Sequence, residues 1–227
     1  MSSTSINPAD QYSWIASFDP KKRIFVGRSY FILKRIMDLS LVLLSAPFWA
    51  PLLLVLGIII KVTSPGAPAL FTQFRTGKNG KRFSMYKFRS MVPNAEALKE
   101  KYAHLNELQW PDFKITNDPR ITKIGKILRK TSLDELPQLI NVLKGDMSLV
   151  GPRPTSFGAE TYKLWHTERL DVTPGLTGLW QIIGRASMEF DDRLRLDIAY
   201  IERRSIWMDI NILFFTVFAV FKARGAH

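Results

Sequence analysis

Residues 39–60 read Leu39-Ser-Leu-Val-Leu-Leu-Ser-Ala-Pro47-Phe-Trp-Ala-Pro51-Leu-Leu-Leu-Val-Leu-Gly-Ile-Ile-Ile60, an uncharged and largely apolar run between Asp38 and Lys61. As a helix rising about 1.5 Å per residue it reaches roughly 33 Å, close to the thickness of a bilayer's hydrocarbon core. It lies well inside the chain and no small-residue cleavage pattern follows it, so a removed signal peptide is not expected. Pro47 and Pro51 sit in its middle. Each removes a backbone donor and crowds the preceding turn, which predicts a kink near residues 46–51. The two legs, Leu39–Ala50 and Leu52–Ile60, are each too short to cross.

The flanks add a second constraint. Lys21, Lys22, Arg23, Arg28, Lys34 and Arg35 precede the run, and Lys61, Arg75, Lys78, Lys81 and Arg82 follow it. Positive charge marks the cytoplasmic side, and here it marks both ends. A re-entrant helix-break-helix over residues 34–62 satisfies both, ahead of a spanning helix or a buried soluble hairpin. Residues 1–33 then form an N-terminal arm and residues 63–227 one globular part. Ile206–Phe221 is apolar but interrupted by Asp209, Asn211 and Thr216. It suits an interfacial helix, with Trp207 at headgroup level and Lys222 and Arg224 in water.

Lys and Arg outnumber Asp and Glu by 32 to 20 in 227 residues, a net charge of +12. That excess calls for a polyanionic partner. No nucleic-acid-binding motif gathers the cations, and the apolar run fits poorly in a soluble binder, so an anionic membrane or phosphorylated substrates are expected rather than nucleic acid. Cysteine is absent, which excludes disulfides and thiolate metal sites. The three histidines, His104, His166 and His227, lack ligand spacing.

Elsewhere the pattern is mostly helical. Ala69–Arg75 and Arg82–Phe88 flank a Gly77-Lys-Asn-Gly80 turn and predict a β-hairpin. Helices are expected over Asn94–Leu108, Ile121–Arg129, Leu133–Leu143 and Met188–Arg204. The class is therefore α+β, predominantly helical, with one small sheet and no separate second domain.

Two adjacent carboxylates, Asp134 and Glu135, stand out in this basic chain. Ser132-x-x-Glu135 has the form of a capping box, so one reading makes Glu135 a helix cap. Pro137 weakens that reading, because a proline there would cost a helical bond. The other reading is chemical. A carboxylate at a helix start, where N–H groups are free, can bind Mg²⁺ or attack phosphorus. Lys126, Arg129 and Lys130 upstream and Arg153 in Gly151-Pro-Arg-Pro154 could keep both acids ionised and grip phosphate.

Several motifs in order carry a resemblance: Asn117-Asp-Pro-Arg-Ile-Thr122, Leu128-Arg-Lys-Thr-Ser-Leu-Asp-Glu-Leu-Pro-Gln-Leu139, Asn141 through Pro154, and Thr173-Pro-Gly-Leu-Thr-Gly178. From about Arg28 to Arg224 the chain resembles the bacterial sugar transferase family, the monotopic polyprenyl-phosphate phosphoglycosyl transferases. The resemblance implies transfer of a sugar-1-phosphate from a UDP-sugar to undecaprenyl phosphate, with release of UMP, at the cytoplasmic face of the bacterial inner membrane. It implies Mg²⁺ dependence and a covalent phosphosugar on Asp134, with Glu135 as partner acid or second metal ligand. Lys87, Arg129, Arg153 with Pro154, and Arg185 match basic or flanking positions expected to hold phosphates or nucleotide, and Asp197 matches a recurrent acid.

Residues 63–227 are then the catalytic domain, and a homodimer is compatible with this reading. Two departures from the family pattern stand out. Ala50-Pro51 replaces the family's Ser-Pro pair at the kink, and Ile183 replaces a polar residue before Gly184-Arg185. The run Gly178–Gln181 and the region Arg185–Asp197 resemble members that use glucose or galactose. The alternative is a non-catalytic, membrane-associated binding or regulatory protein.

Overall fold

The structure is a computed structural model and describes residues 12–107, 113, 115–161, 164–183 and 188–221. The regular elements in chain order are α1 (Ser13–Ala16), α2 (Gly27–Thr63), β1 (Leu70–Thr76), β2 (Arg82–Phe88), α3 (Lys123–Lys130), α4 (Gln138–Lys144), β3 (Ser148–Val150), β4 (Gly175–Thr177), α5 (Leu179–Ile183), α6 (Phe190–Arg203) and α7 (Ile206–Phe221). Short 3₁₀ turns join several of them. The chain is predominantly helical, with a small antiparallel hairpin and one long apolar helix, as the pattern of residues predicts.

That long helix, α2, starts at Gly27 and runs without interruption through both Pro47 and Pro51 to Thr63. The expected break at 46–51 is thus not a break in secondary structure. Each proline deletes one ladder bond and leaves its neighbours intact. Side chains add bonds to the main chain just ahead of Pro47: Ser45 Oγ reaches the carbonyls of Leu41 at 2.6 Å and Val42 at 3.2 Å, and the Trp49 indole N–H reaches Val42 O at 2.9 Å.

Burial along α2 is confined to its two ends. Tyr30, Lys34, Asp38 and Val42, spaced by four, are buried, and then Leu56 and Ile60. Between them Leu43, Leu44, Phe48, Leu54 and Val55 are exposed. Only 11% of the most apolar 18-residue window is buried.

The N-terminal end is fixed by polar bonds. Asp209 of α7 takes Lys34 Nζ at 3.0 Å, the Tyr30 hydroxyl at 2.9 Å and the Tyr200 hydroxyl at 2.6 Å. Asp38 accepts from Ser148 Oγ at 2.7 Å and the Leu149 amide at 3.2 Å. Arg35 caps the last turn of α4 through the carbonyls of Val142 and Leu143. Lys34 and Asp209 are thus ion-paired, and Asp38 and Arg35 are hydrogen-bonded to neutral groups, so these charges are satisfied as burial requires. The C-terminal end is held by apolar contact instead, Leu56 and Ile60 packing with Phe88 of β2 and Leu128 of α3. Arg89 also donates to the carbonyl of Ser64, just past the helix end. One globular body therefore grips both ends of the apolar helix.

β1 and β2 pair antiparallel from Leu70↔Phe88 to Thr76↔Arg82. Asn79 takes the left-handed conformation that its Asn-Gly turn requires, with φ of 55°. Asn141 of α4 closes the free edge of β2, accepting from the Tyr86 amide at 3.0 Å and donating to Ser84 O at 2.7 Å. α3 begins at a Thr122 cap, whose hydroxyl accepts from the Gly125 amide at 3.0 Å. Gly125 is obligatory in this packing, since a Cβ would lie 1.9 Å from the carbonyl oxygen of Ser90.

Three expectations are corrected. Residues 94–107 form successive turns with a 3₁₀ turn at Ala103–Leu105, not the expected helix, although Ala95, Leu98 and Tyr102 stand at helical spacing and are half-buried. The expected helix over Leu133–Leu143 splits into a 3₁₀ turn, Leu133–Glu135, and α4, which starts after Pro137. A second, parallel sheet exists, with β3 beside β4 in the register Ser148↔Gly175 and Val150↔Thr177. Its three-residue strands are nearly all buried and carry no alternation to read.

Candidate active site

The acid pair occupies the 3₁₀ turn between α3 and α4. Ser132, with φ of 57°, turns the chain into the left-handed region and makes no side-chain cap. The capping-box reading of Glu135 therefore fails. Its carboxylate points instead into a ring of cations. Lys87 on β2 donates to Oε1 at 3.0 Å. Arg153 spans both oxygens, Nη2 on Oε1 and Nη1 on Oε2 at 3.2 Å. Asp134 takes a different place. Among the described residues it forms no ion pair or hydrogen bond, and it is partly exposed.

The electrostatics follow from this division. Burial alone would raise the Glu135 carboxyl, but the charges and hydrogen bonds of Arg153 and Lys87 outweigh it and hold it well below the ordinary range. Asp134 goes the other way, pushed up by burial and by the charge of Glu135, against the pull of Lys87, Arg129 and Arg153. Burial lowers Lys87, and Glu135 only partly restores it. Arg153 is held up by Glu135.

The remaining expected residues fall around this centre. Arg129 lies on the inner side of α3, donates through Nε to Ser90 Oγ at 2.9 Å and acts on Asp134 by charge. Lys126 and Lys130 are exposed on the outer side of that helix and do not join the acids. The Gly151–Pro154 turn is anchored by main-chain bonds, Gly151 N to Thr177 O and Gly175 N to Pro152 O, both 2.9 Å. Pro154 is buried, and its carbonyl accepts from Arg75 Nη1 at 3.4 Å, so it shapes the turn. Asp197 is 1% exposed and paired with Arg169 at 2.8 Å, behind Arg153 rather than at the acid pair. Burial lifts its carboxyl to about 6 despite Arg169 and Arg193. Arg185, Lys222 and Arg224 lie outside the described residues.

Sequence reasoning missed Arg75, Ser90, Arg169 and the buried Asp118–Arg120 pair, whose Nη2–Oδ2 distance is 2.7 Å. Asp118 and Arg120 stood inside a quoted motif, Asn117–Thr122, so a signal for them existed. Arg75 and Arg169 come from strands and turns far from the acids in sequence, and nothing local marks them.

What the ring can do is hold anions. Lys87, Arg129 and Arg153 surround one free carboxylate and one fully engaged carboxylate, on a domain that also carries a largely bare apolar helix. A cationic, anion-holding centre on a domain that carries a bare apolar helix is what this combination defines. The family model for bacterial sugar transferases matches residues 29–223, and the chain belongs to that family. It is 47% identical over 205 residues to the undecaprenyl-phosphate galactose phosphotransferase of Salmonella typhimurium, covering 88% of this chain and 43% of that protein. It is 44% identical over 209 residues to the galactosyl transferase CpsE of Streptococcus agalactiae, covering 89% and 45%. Against the exopolysaccharide production protein ExoY of Rhizobium meliloti the identity is 37%, covering 86% of this chain and 88% of the relative. The chain thus spans less than half the length of the first two relatives and most of the third.

Proposed function

We propose that this chain is a phosphotransferase that moves a sugar-1-phosphate from a UDP-sugar to undecaprenyl phosphate and releases UMP, an early membrane step in surface polysaccharide synthesis. The observation that carries the reading is the split of the acid pair: Glu135 is tied to Lys87 and Arg153, while Asp134 keeps its carboxylate free beside three cations. A nucleophile needs an unengaged, ionised oxygen. In the first half-reaction an Asp134 oxygen bonds to the sugar-bearing phosphorus, and the bond from that phosphorus to the bridging oxygen breaks, so UMP leaves with the electron pair. In the second, an oxygen of the lipid phosphate bonds to the same phosphorus and the bond to Asp134 breaks. Lys87, Arg129 and Arg153 offset the charge on the phosphoryl oxygens throughout. The name of the Salmonella relative favours galactose, or glucose as its close analogue, as the sugar.

The donor set suits Mg²⁺. That ion is commonly held by one or two carboxylates together with substrate phosphates and water. Asp134 offers a free carboxylate, whereas both Glu135 oxygens are already engaged, so Asp134 is the ligand and Glu135 orients the cations around it. When bound, Mg²⁺ supplies charge neutralisation at the diphosphate.

The site belongs at the cytoplasmic face of the inner membrane. Support comes from α2, whose two ends are held by one globular body while its middle is bare. In this reading α2, though uninterrupted, bends at Pro47 and Pro51 so that both its ends stay on one side of the bilayer with the prolines deepest, and exposed Trp207, Phe214 and Phe218 of α7 lie in the interface.

The test is to incubate the detergent-solubilised protein with a UDP-sugar radiolabelled in the sugar, without lipid. Label should stay on the denatured wild-type chain, be discharged by undecaprenyl phosphate and be missing from Asp134→Asn. A wild-type chain that transfers sugar phosphate but never retains label would replace the covalent route with direct transfer.

A further inference from the structure

Arg169 touches neither acid, yet it meets the residue that does. It lies in the 3₁₀ stretch Leu164–Asp171 and is 7% exposed. Its Nη2 donates to the main-chain oxygen of Arg153 and to Asp197 Oδ2, the latter at 2.8 Å. Asp197, on α6, is itself buried. Arg153 is thus held on two sides, its guanidinium on Glu135 and its carbonyl on Arg169.

The surrounding turn makes this contact matter. Residues 151, 152 and 155 are fixed by main-chain bonds to Thr177, Gly175 and Thr76. Arg153 stands between two prolines, so neither neighbour supplies an N–H. Among the described hydrogen bonds, that from Arg169 is the one that holds its carbonyl. Loss of it would free a single peptide between fixed ends. A buried guanidinium with a buried carboxylate behind it has few other arrangements, because leaving either charge unpaired in the interior is costly. The arrangement is therefore stiff where the turn would otherwise be loose.

We propose that Arg169 is a positioning residue for the reaction: backed by Asp197, it fixes the main chain of Arg153 so that the guanidinium meets Glu135 and the substrate phosphate in one orientation. The kinetic part of this rests on the acid pair being the reacting centre. The structural part stands without it.

Two measurements on the full-length protein in detergent test it. The first is modification of Arg153 by phenylglyoxal, read by mass spectrometry. Arg169→Gln should raise its rate roughly tenfold, as expected for a lost hydrogen bond from a charged donor, while exposed Arg28 is unaffected. Asp197→Asn, the milder change, should raise it by less. An unchanged rate at Arg153 in both variants, whatever happens to the melting temperature, overturns the proposal.

The second is a kinetic cycle with Arg153→Gln, Arg169→Gln and the double variant. If Arg169 acts through Arg153, it lowers kcat more than it raises KM, and the double variant is no slower than Arg153→Gln alone. Losses that multiply overturn the proposal. A wild-type protein that transfers no sugar phosphate counts against the functional reading, and the modification rates then decide alone whether Arg169 sets Arg153.

Discussion

Arg153 meets Glu135 fork to fork, one terminal nitrogen on each carboxylate oxygen. Lysine can carry the same charge but cannot span both oxygens. Arg153→Lys should therefore lower kcat/KM on the order of 10- to 100-fold, the equivalent of a charged hydrogen bond. Steady-state UMP release at several donor concentrations checks this. A change under threefold would leave Arg153 a point charge.

The same pair ties stability to pH. Glu135 has a lowered pKa, so its pairing stabilises the fold above its ordinary value of 4.5 and that stabilisation is lost as pH falls further. Wild-type protein should lose melting temperature steeply below about pH 4.5. Glu135→Gln should start less stable at neutral pH, with Lys87 and Arg153 unpaired, and show a shallower acid slope. Thermal melts from pH 3 to pH 8 compare the two.

Lys87 bears on Asp134 through charge. Its ammonium favours the ionised carboxylate, against the burial that raises the Asp134 pKa. Lys87→Gln removes that support, so the acid limb of activity should move to higher pH as well as falling in height. A pH–rate profile of residual transfer measures the shift. A limb displaced to lower pH would reverse the assignment.

The buried pair Lys34–Asp209, with the Tyr30 and Tyr200 hydroxyls, joins α2 to α7. Asp209→Asn leaves an ammonium buried without its counter-charge and should cost about 3–5 kcal/mol, enough to threaten folding. Lys34→Met combined with Asp209→Asn should recover part of the loss. Melting in detergent reads both.

Gly125→Ala tests the approach of α3 to the end of β2. Its Cβ would sit 1.9 Å from Ser90 O, and rigid main chain on both sides leaves little room to yield. The expected cost is about 1–3 kcal/mol, with a matching loss of activity because Ser90 and Arg129 move apart. Melting temperature and transfer rate together distinguish this from a harmless surface change.

Much of this arrangement can be read along the chain. The hairpin is legible because the Asn79-Gly80 turn and the two flanking strands are local. The apolar helix is legible from length alone, but its N-terminal extension is not: the buried face at Tyr30, Lys34 and Asp38 is set by partners over a hundred residues away. The acid pair is visible as an oddity of charge, while its division of labour is not. Ser132-x-x-Glu135 looks like a cap, and only the left-handed turn at Ser132 and the arrival of Arg153 from β3 show that it is not one. Asp197 is visible in the sequence without a role, because its partner Arg169 lies 28 positions away. β3 and β4 were invisible, since three buried residues have no period.

The grip on both ends of α2 also sets how this protein can be handled. Asp38 caps β3, Arg35 caps α4 behind the acid pair, and Leu56 and Ile60 complete the cluster around Phe88 and Leu128. The helix is as much an internal strut of the globular part as an anchor for it. Trimming it away to obtain a water-soluble fragment would bare that cluster and strand Asp209 and Ser148. On the proposed membrane reading, a water-soluble form is therefore not reached by deleting the helix, because the same residues that would face lipid continue into those that hold the globular part together.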